Sequence, residues 1–411
     1  MTTTRRGFLG TAITAVGAGL AASCSERLPR FLIPYAIPPD DSVPGVARFY
    51  RTVCRECSAG CGATARVREG RVVKLEGNLD HPISRGALCP RGQAAVESLY
   101  AEDRLAAPRT LAGAATWAQA EHGLADGIRR ALDGGKLVAV LTRPEPGSTG
   151  ALFRTWLTAL GQAPEQVVTF DPMAATWIRD GHRRAFGVDA MPRRDFTEAN
   201  FVLSIGDDFV EDGSPVEAAR GLAQLRAADH RFVYVGPRMS LTAAAADEWI
   251  STEPGTEIFL VLGLARMVVE WSGTTGGLPA GVLAGRLAPY DVDSVAARTG
   301  VAPAVILRLA RSLLEARPAL CIGPGRAVAG TNAVALAEAV AVLNAVAGKP
   351  STHPPVGDHV DIPAMSVAEL TKRAMAGEVG ALVVHHANPF GHGPVFAPLC
   401  KAIEHVPFVA V

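Results

Sequence analysis

The 411-residue sequence predicts an α/β protein: a small cysteine-bearing module with a β-hairpin, followed by doubly wound α/β layers that occupy most of the chain. Three observations carry that prediction. Four cysteines, Cys54, Cys57, Cys61 and Cys89, are spaced C-x2-C-x3-C-x27-C. From Trp117 onward, short β-rich apolar runs alternate with amphipathic stretches of helical length, the pattern of parallel sheets covered on both faces. A hydrophobic content of 48% is enough to fill more than one core. Forty basic residues balance forty acidic ones, so no general field argues for nucleic acid or an anionic membrane surface. Seven cysteines are too few for a disulfide scaffold.

Thr4-Arg5-Arg6-Gly7-Phe8-Leu9 precedes the uncharged apolar run Thr11 to Ala22, which has the length of a signal-peptide core and is too short to span a bilayer. Residues 1–24 therefore read as a twin-arginine export signal. The bland alternative is a chance Arg-Arg before a short apolar helix. Export by that route predicts the periplasmic face of the cytoplasmic membrane. Cys24, after Leu20-Ala21-Ala22-Ser23, resembles a lipoprotein cleavage box with Ala21 where leucine is usual; acylated, it would anchor the chain. Otherwise it is an ordinary cysteine. Residues 25–45 hold Pro29, Pro34, Pro38, Pro39 and Pro44 and predict an extended arm.

The cysteine module occupies 46–108. Soft thiolates in a tight trio plus one distant member suit a 4Fe-4S cluster, while a four-cysteine zinc site and two disulfides remain open alternatives in an exported chain. Ala63 to Arg68 and Arg71 to Glu76 alternate around Glu69-Gly70, which predicts a hairpin with Gly70 at φ > 0. Gln93 to Asp103 predicts a helix. Further strands are expected at 137–141, 167–170, 201–205, 232–235, 319–322, 381–385 and 408–411. Helices are expected at 118–132, 151–160, 215–227, 257–271, 302–315 and 333–346. Cys321 and Cys400 sit among apolar residues and read as core.

Gly77-Asn78-Leu79-Asp80-His81-Pro82 and Gly86-Ala87-Leu88-Cys89-Pro90-Arg91-Gly92, with the cysteine spacing, resemble the iron-sulfur domain of the molybdopterin oxidoreductase family. The resemblance implies two interleaved Rossmann-like domains, the first at 109–173 and 268–411 and the second inserted at 174–267. It also implies a β-rich carboxyl-terminal domain, which is expected to be absent because the sequence stops within the strand Val406 to Val411. Cys54, Cys57, Cys61 and Cys89 become the cluster ligands, and Arg91 matches a basic residue between cluster and pterin; its bland reading is a surface ion pair. Gly206 and Asp207 resemble a pterin-nucleotide turn, Pro237 and Arg238 the ribose-side turn after the next strand, and Gly255 and Thr256 a nucleotide-side motif opening a helix. His385-His386-Ala387-Asn388-Pro389 follows an expected strand and resembles a further nucleotide-side loop; Asn388-Pro389 alone is a plain turn former, and two adjacent histidines on a strand point to opposite sides, which argues against a shared metal. Gly323-Pro324-Gly325-Arg326 is most simply a glycine-rich turn, the alternative being a set of amides for a phosphate from which Pro324 removes one donor.

Where catalytic relatives hold the metal, this chain has Ala174 or Ala175, which cannot coordinate molybdenum; Asp171 and His182 are the nearest polar substitutes. Molybdopterin guanine dinucleotide is thus a doubtful cofactor beside the one 4Fe-4S cluster. The resemblance extends to molybdenum-free large subunits of quinone-linked membrane complexes such as alternative complex III, which generally lack the four cysteines present here. It implies an electron-transfer subunit, with a multi-cluster ferredoxin-like subunit and a polytopic quinol-binding membrane subunit as partners. Two alternatives stand beside it: a catalytic molybdopterin enzyme of the polysulfide reductase or formate dehydrogenase type completed by a separate chain, and a purely structural scaffold.

Overall fold

Strand β1 (Arg48–Val53) lies antiparallel to β2 (Gly62–Arg68), which turns directly into β3 (Arg71–Gly77). The expected hairpin is present. Glu69 (φ 50°) and Gly70 (φ 76°) are both left-handed, as a two-residue turn matched to the twist of the strands requires. Helix α1 (Pro90–Leu99) begins immediately after Cys89, with Pro90 in the first position, where a missing N–H costs nothing. A two-residue ribbon, β4 (Arg109–Thr110) and β5 (Gly113–Ala114), leads to α2 (Trp117–Asp133). Thr116 caps α2 reciprocally with Gln119: the Gln119 amide donates to Thr116 Oγ1 at 3.3 Å, and the Thr116 amide donates to Gln119 Oε1 at 2.9 Å.

The structure is a computed structural model that describes residues 43, 45–145, 148–172, 174–188, 191–192, 196, 199–347 and 365–411. The expected signal at 1–24, Cys24 and nearly all of the arm lie outside the described residues. Among the described residues, no helix is long and apolar enough to cross a membrane.

After α2 come β6 (Leu137–Thr142), α3 (Ser148–Ala159), β7 (Val167–Thr169) and α4 (Thr176–Phe186). The chain then runs through β8 (Phe201–Ile205), α5 (Pro215–Ala227), β9 (Arg231–Val235), α6 (Leu241–Ala244) and β10 (Glu248–Ile250). Four helices follow, α7 (Glu257–Ser272), α8 (Ala280–Leu287), α9 (Val292–Thr299) and α10 (Pro303–Glu315), before β11 (Ala319–Ile322) and α11 (Ala333–Val346). Helix α12 (Val367–Met375), β12 (Val379–His385), α13 (Ala397–Glu404) and β13 (Phe408–Ala410) end the described chain.

These strands form two parallel four-stranded sheets, β13-β12-β6-β7 and β10-β9-β8-β11. Each is covered on both faces, which is why its strands read as unbroken apolar runs. Ala139, Leu141, Leu382 and Val384 of the first sheet pack with Leu370 of α12 and Leu399 of α13, whereas Val138, Val140 and Ala381 pack with Ile128 of α2 and Leu157 of α3. In the second sheet Phe201, Leu203 and Ile205 face α7, α10 and α11, and Val202, Phe232 and Tyr234 face α5.

The expected inner boundary at 267 moves. Ala319 of β11 pairs with Phe201 of β8, and α7, α9, α10 and α11 share a core with Phe201, Leu203 and Ile205. The second sheet and its helices therefore continue through Val346, and the chain rejoins the first sheet at α12 and β12. A four-residue run, Ala-Leu-Cys-Ile, buried on both faces carries no local mark of which sheet it joins. Strands β1 and β10 were also not expected: β1 is exposed along its whole length, and β10 is only three residues long.

Glu257, the first residue of α7, is fully buried, and burial raises its carboxyl above the ordinary range against the pull of hydrogen bonds from Thr252 Oγ1 (3.1 Å) and backbone amides. A raised folded value means that the native state holds this proton more tightly than the unfolded chain, so stability falls as pH rises through the folded value. Glu257→Gln keeps the acceptor for Thr252 and removes the titration. Urea midpoints measured at about pH 4.5 and pH 7 should show the variant gaining on the wild type at the higher pH; a constant difference would show that Glu257 does not titrate in this window.

Candidate metal centre

The loop between β1 and β2 closes on itself where the Cys54 amide donates to the Cys61 carbonyl at 2.8 Å. Cys54 and Cys61 are 8% and 7% exposed, and they form one cluster with Ala59 and Val216, onto which Cys57, Ile83, Leu88 and Cys89 pack. Two glycines let the fourth cysteine approach. A Cβ on Gly62 would meet the His81 ring at 2.4 Å, and one on Gly92 would meet Cys54 Sγ at 3.4 Å. His81 Nδ1 accepts the amides of Gly62 (3.2 Å) and Ile83 (3.3 Å), which ties the loop carrying Cys89 to the hairpin.

All six described cysteines, including Cys321 and Cys400, are free thiols, which disfavours the disulfide alternative. Burial first, then the charges of Cys57, Cys54 and Cys89, push the Cys61 thiol up to about 11. Burial likewise raises Cys54, and a backbone hydrogen bond at Glu56 opposes it. Four mutually repelling sulfurs in an apolar pocket are what a cationic iron assembly would neutralise, so the donor set fits such a group. Among the described residues, no three His, Cys, Asp or Glu form a group that could hold a metal ion. Zinc would draw all four sulfurs to about 2.3 Å from one centre. A cubane takes one cysteine per iron and needs no such convergence.

The pocket lies where the carboxyl ends of both sheets meet. Arg55, next to Cys54, donates from Nη2 to Glu145 Oε1 at 3.0 Å, and Glu145 follows β6. From the second sheet, Val216 near the start of α5 covers the cysteines, and one turn later Arg220 donates to the Ile83 and Ser84 carbonyls at 2.9 and 2.6 Å. Neither Glu145 nor Arg220 was expected from sequence. The i, i+4 pair Val216 and Arg220 on one helix face is the only local signal of that contact. Arg91, second residue of α1, is exposed beside Cys89.

Gly206, Asp207, Pro237, Arg238, Gly255 and Thr256 are all brought to the carboxyl edge of the second sheet, beyond β8, β9 and β10. Much of that edge is occupied by the protein itself. Arg238 is paired with the buried Asp208 at 2.5 Å, and Asp208 also accepts from Tyr234 Oη at 2.7 Å. Gly206 is left-handed, and Val328 stands 2.6 Å from where its Cβ would be; a Cβ on Gly325 would meet the Gly206 carbonyl oxygen at 2.1 Å. The Gly323-Pro324-Gly325 turn thus lies directly on the turn expected to face a nucleotide. Asp171 follows β7 on the carboxyl edge of the first sheet, and Ala174 and Ala175 lead from it into α4. His182 is not in that loop: it is buried within α4, edge-on to Phe186. His385 and His386 do not point to opposite sides as strand alternation predicts. His386 is past the end of β12 in a left-handed conformation (φ 50°), and the two rings stack 4.5 Å apart.

Residues 47–101 match the family model of the molybdopterin oxidoreductase Fe4S4 domain. The chain is 28% identical over 394 residues to the menaquinone reductase molybdopterin-binding-like subunit of Nitratidesulfovibrio vulgaris, covering 89% of this chain and 56% of that subunit. These matches support the molybdopterin oxidoreductase family for this chain. It is also 27% identical over 259 residues to the nitrate-inducible formate dehydrogenase major subunit of Escherichia coli, covering 54% of this chain and 25% of that one. Acetylene hydratase from Pelobacter acetylenicus, a solved structure, matches with a TM-score of 0.66 over 88% of this chain and 60% of its own, at 16% identity, and so shares the fold. The chain therefore spans between a quarter and about half the length of these two curated relatives. The matched Fe4S4 domain supports a 4Fe-4S cluster as the group this chain binds.

Proposed function

We propose that this chain is an iron-sulfur electron-transfer subunit of a membrane-associated, quinone-linked oxidoreductase complex, exported by the twin-arginine route. The observation that carries this reading is a complete four-cysteine pocket at the junction of two sheets, in a chain whose expected molybdenum-ligand position offers only Ala174 and Ala175. The similarity to the menaquinone reductase subunit over 89% of the chain supports the quinone link. A bound 4Fe-4S cluster supplies one-electron redox chemistry.

Cys54, Cys57, Cys61 and Cys89 would hold that cluster. Val216, Ile83, Leu88 and Ala59 exclude water from the sulfurs. The first amides of α1, at Arg91 and Gly92, have no side-chain cap at Cys89 and remain available to the sulfurs, which stabilises added negative charge. The Gly323-Pro324-Gly325 turn packs against Gly206, and Arg238 is held by Asp208, so two of the groups expected to meet a pterin nucleotide are engaged within the protein; with Ala174 and Ala175 at the ligand position, this supports little or no bound pterin. A multi-cluster ferredoxin-like subunit and a polytopic quinol-binding subunit are the partners this role requires.

A second reading, a molybdopterin enzyme completed by another chain, has one observation in its favour: Asp171 sits on the same carboxyl edge as Glu145 and His385. Native isolation of the protein from the membrane fraction, with metal analysis and fluorescence detection of oxidised pterin, decides between the two. The expected result is membrane association, about four irons per chain and molybdenum near zero. About one molybdenum or tungsten per chain would establish the second reading, with Asp171 or a partner residue as ligand; recovery only in the soluble cytoplasmic fraction would overturn the proposed location.

A further inference from the structure

One carboxylate oxygen links the cysteine loop to a histidine pair. Glu145, whose side chain is 6% exposed, receives Arg55 Nη2 and Arg143 Nε on Oε1 at 3.0 Å each, and Arg143 also donates to the Arg55 carbonyl. His385 Nδ1 stands 3.7 Å from the same Oε1 and 3.1 Å from Thr142 Oγ1. The Phe153 ring packs edge-on to His385 at 5.0 Å, and the His386 ring lies against it at 4.5 Å, tilted by 35°. Arg55 belongs to the loop between Cys54 and Cys57, so a charge change in that loop reaches the histidines through two contacts.

We propose that the His385–His386 pair takes up one proton from water when one electron reaches the four-cysteine centre, making this edge of the first sheet a redox-linked proton site. The inference rests on the iron-sulfur reading above. The electron comes from a one-electron donor protein of the haem or iron-sulfur class, and a single N–H bond forms on an imidazole nitrogen; reoxidation returns both. In the neutral ring, Nδ1 accepts the Thr142 hydroxyl. In the imidazolium, an Nδ1–H turns to Glu145 Oε1, which lies within reach in a largely buried position. Burial, Arg55 and Arg143 hold both histidines below the ordinary imidazole range, and Glu145 opposes them. The neutral pair is therefore favoured until negative charge is added to the cysteine loop and offsets the Arg55 guanidinium. That charge favours the imidazolium.

Redox titration of the iron-loaded full chain, followed by paramagnetic resonance over roughly pH 5 to 8, tests this. Between the oxidised-state and reduced-state values of the pair, the midpoint potential should fall by about 59 mV per pH unit, one proton per electron. The dependence should vanish in the H385Q/H386Q double variant. A flat potential in the loaded wild type, or an unchanged slope in the loaded double variant, overturns the proton site and leaves the iron-sulfur reading standing. Protein that takes up no iron overturns that reading and this proposal with it. Histidine ring resonances of the wild type, titrated in both redox states, give a readout independent of the variants: their midpoints should rise on reduction, and unchanged midpoints refute the coupling.

Discussion

Replacing Cys57 or Cys89 by Ser is expected to strip anaerobically prepared protein from about four irons and four sulfides per chain to a small fraction of that content. A serine hydroxyl is a hard donor that does not ionise near neutral pH, so one corner of the ligand set is lost. The cluster then depends on three sulfurs in a pocket that already disfavours thiolate: the buried Cys61 thiol is pushed up to about 11 when only protein surrounds it. Cys57 and Cys89 are chosen because they are only half-buried, so the substitution changes the chemistry more than the packing. Cys321→Ser is the control. That thiol lies in the middle of β11, raised far above its ordinary value by burial alone, and its loss should leave iron unchanged while destabilising the second sheet. Full iron in Cys89→Ser, or stoichiometric zinc in the wild type, would refute the assignment.

How much of this was legible follows the range of the contacts. The cysteines lie within 36 consecutive positions, Cys54 to Cys89, and their supports Gly62, His81 and Gly92 fall inside or just beyond the same stretch, so spacing and turn chemistry were enough. The same is true of the hairpin, where Glu69-Gly70 determines the turn. Buried parallel strands announce themselves as short apolar runs, and most were placed within two residues. What the sequence hides is assembly across distance. Arg55 and Glu145 are 90 positions apart, and Arg220 and Ile83 137, with nothing local to pair them. The expected sheet membership of β11 failed for the same reason. The histidine pair was misread because strand alternation was extended one residue too far, onto a residue that leaves the strand with positive φ.

Asn344→Leu should cost roughly 2–6 kcal/mol of stability, since two buried backbone groups lose their partner at about 1–3 kcal/mol each. β11 is an edge of the second sheet, and its outer side would otherwise present unpaired main-chain groups to a helix layer. Asn344, buried on α11, takes the place of a neighbouring strand: its Oδ1 accepts the Cys321 amide at 2.8 Å and its Nδ2 donates to the Cys321 carbonyl at 2.7 Å. Leucine has similar volume, so lost packing contributes little and the polar term dominates. Asn344→Asp separates the two bonds: the acceptor stays, but the donor is replaced by an oxygen facing a carbonyl in a buried site, and the cost should be at least as large as for leucine. Urea unfolding midpoints of the three proteins decide it, and a leucine variant within about 0.5 kcal/mol of wild type would show that the edge is satisfied in some other way. Because no residue of β11 or α11 belongs to the cluster around the cysteines, iron content should be retained in any Asn344 variant that still folds.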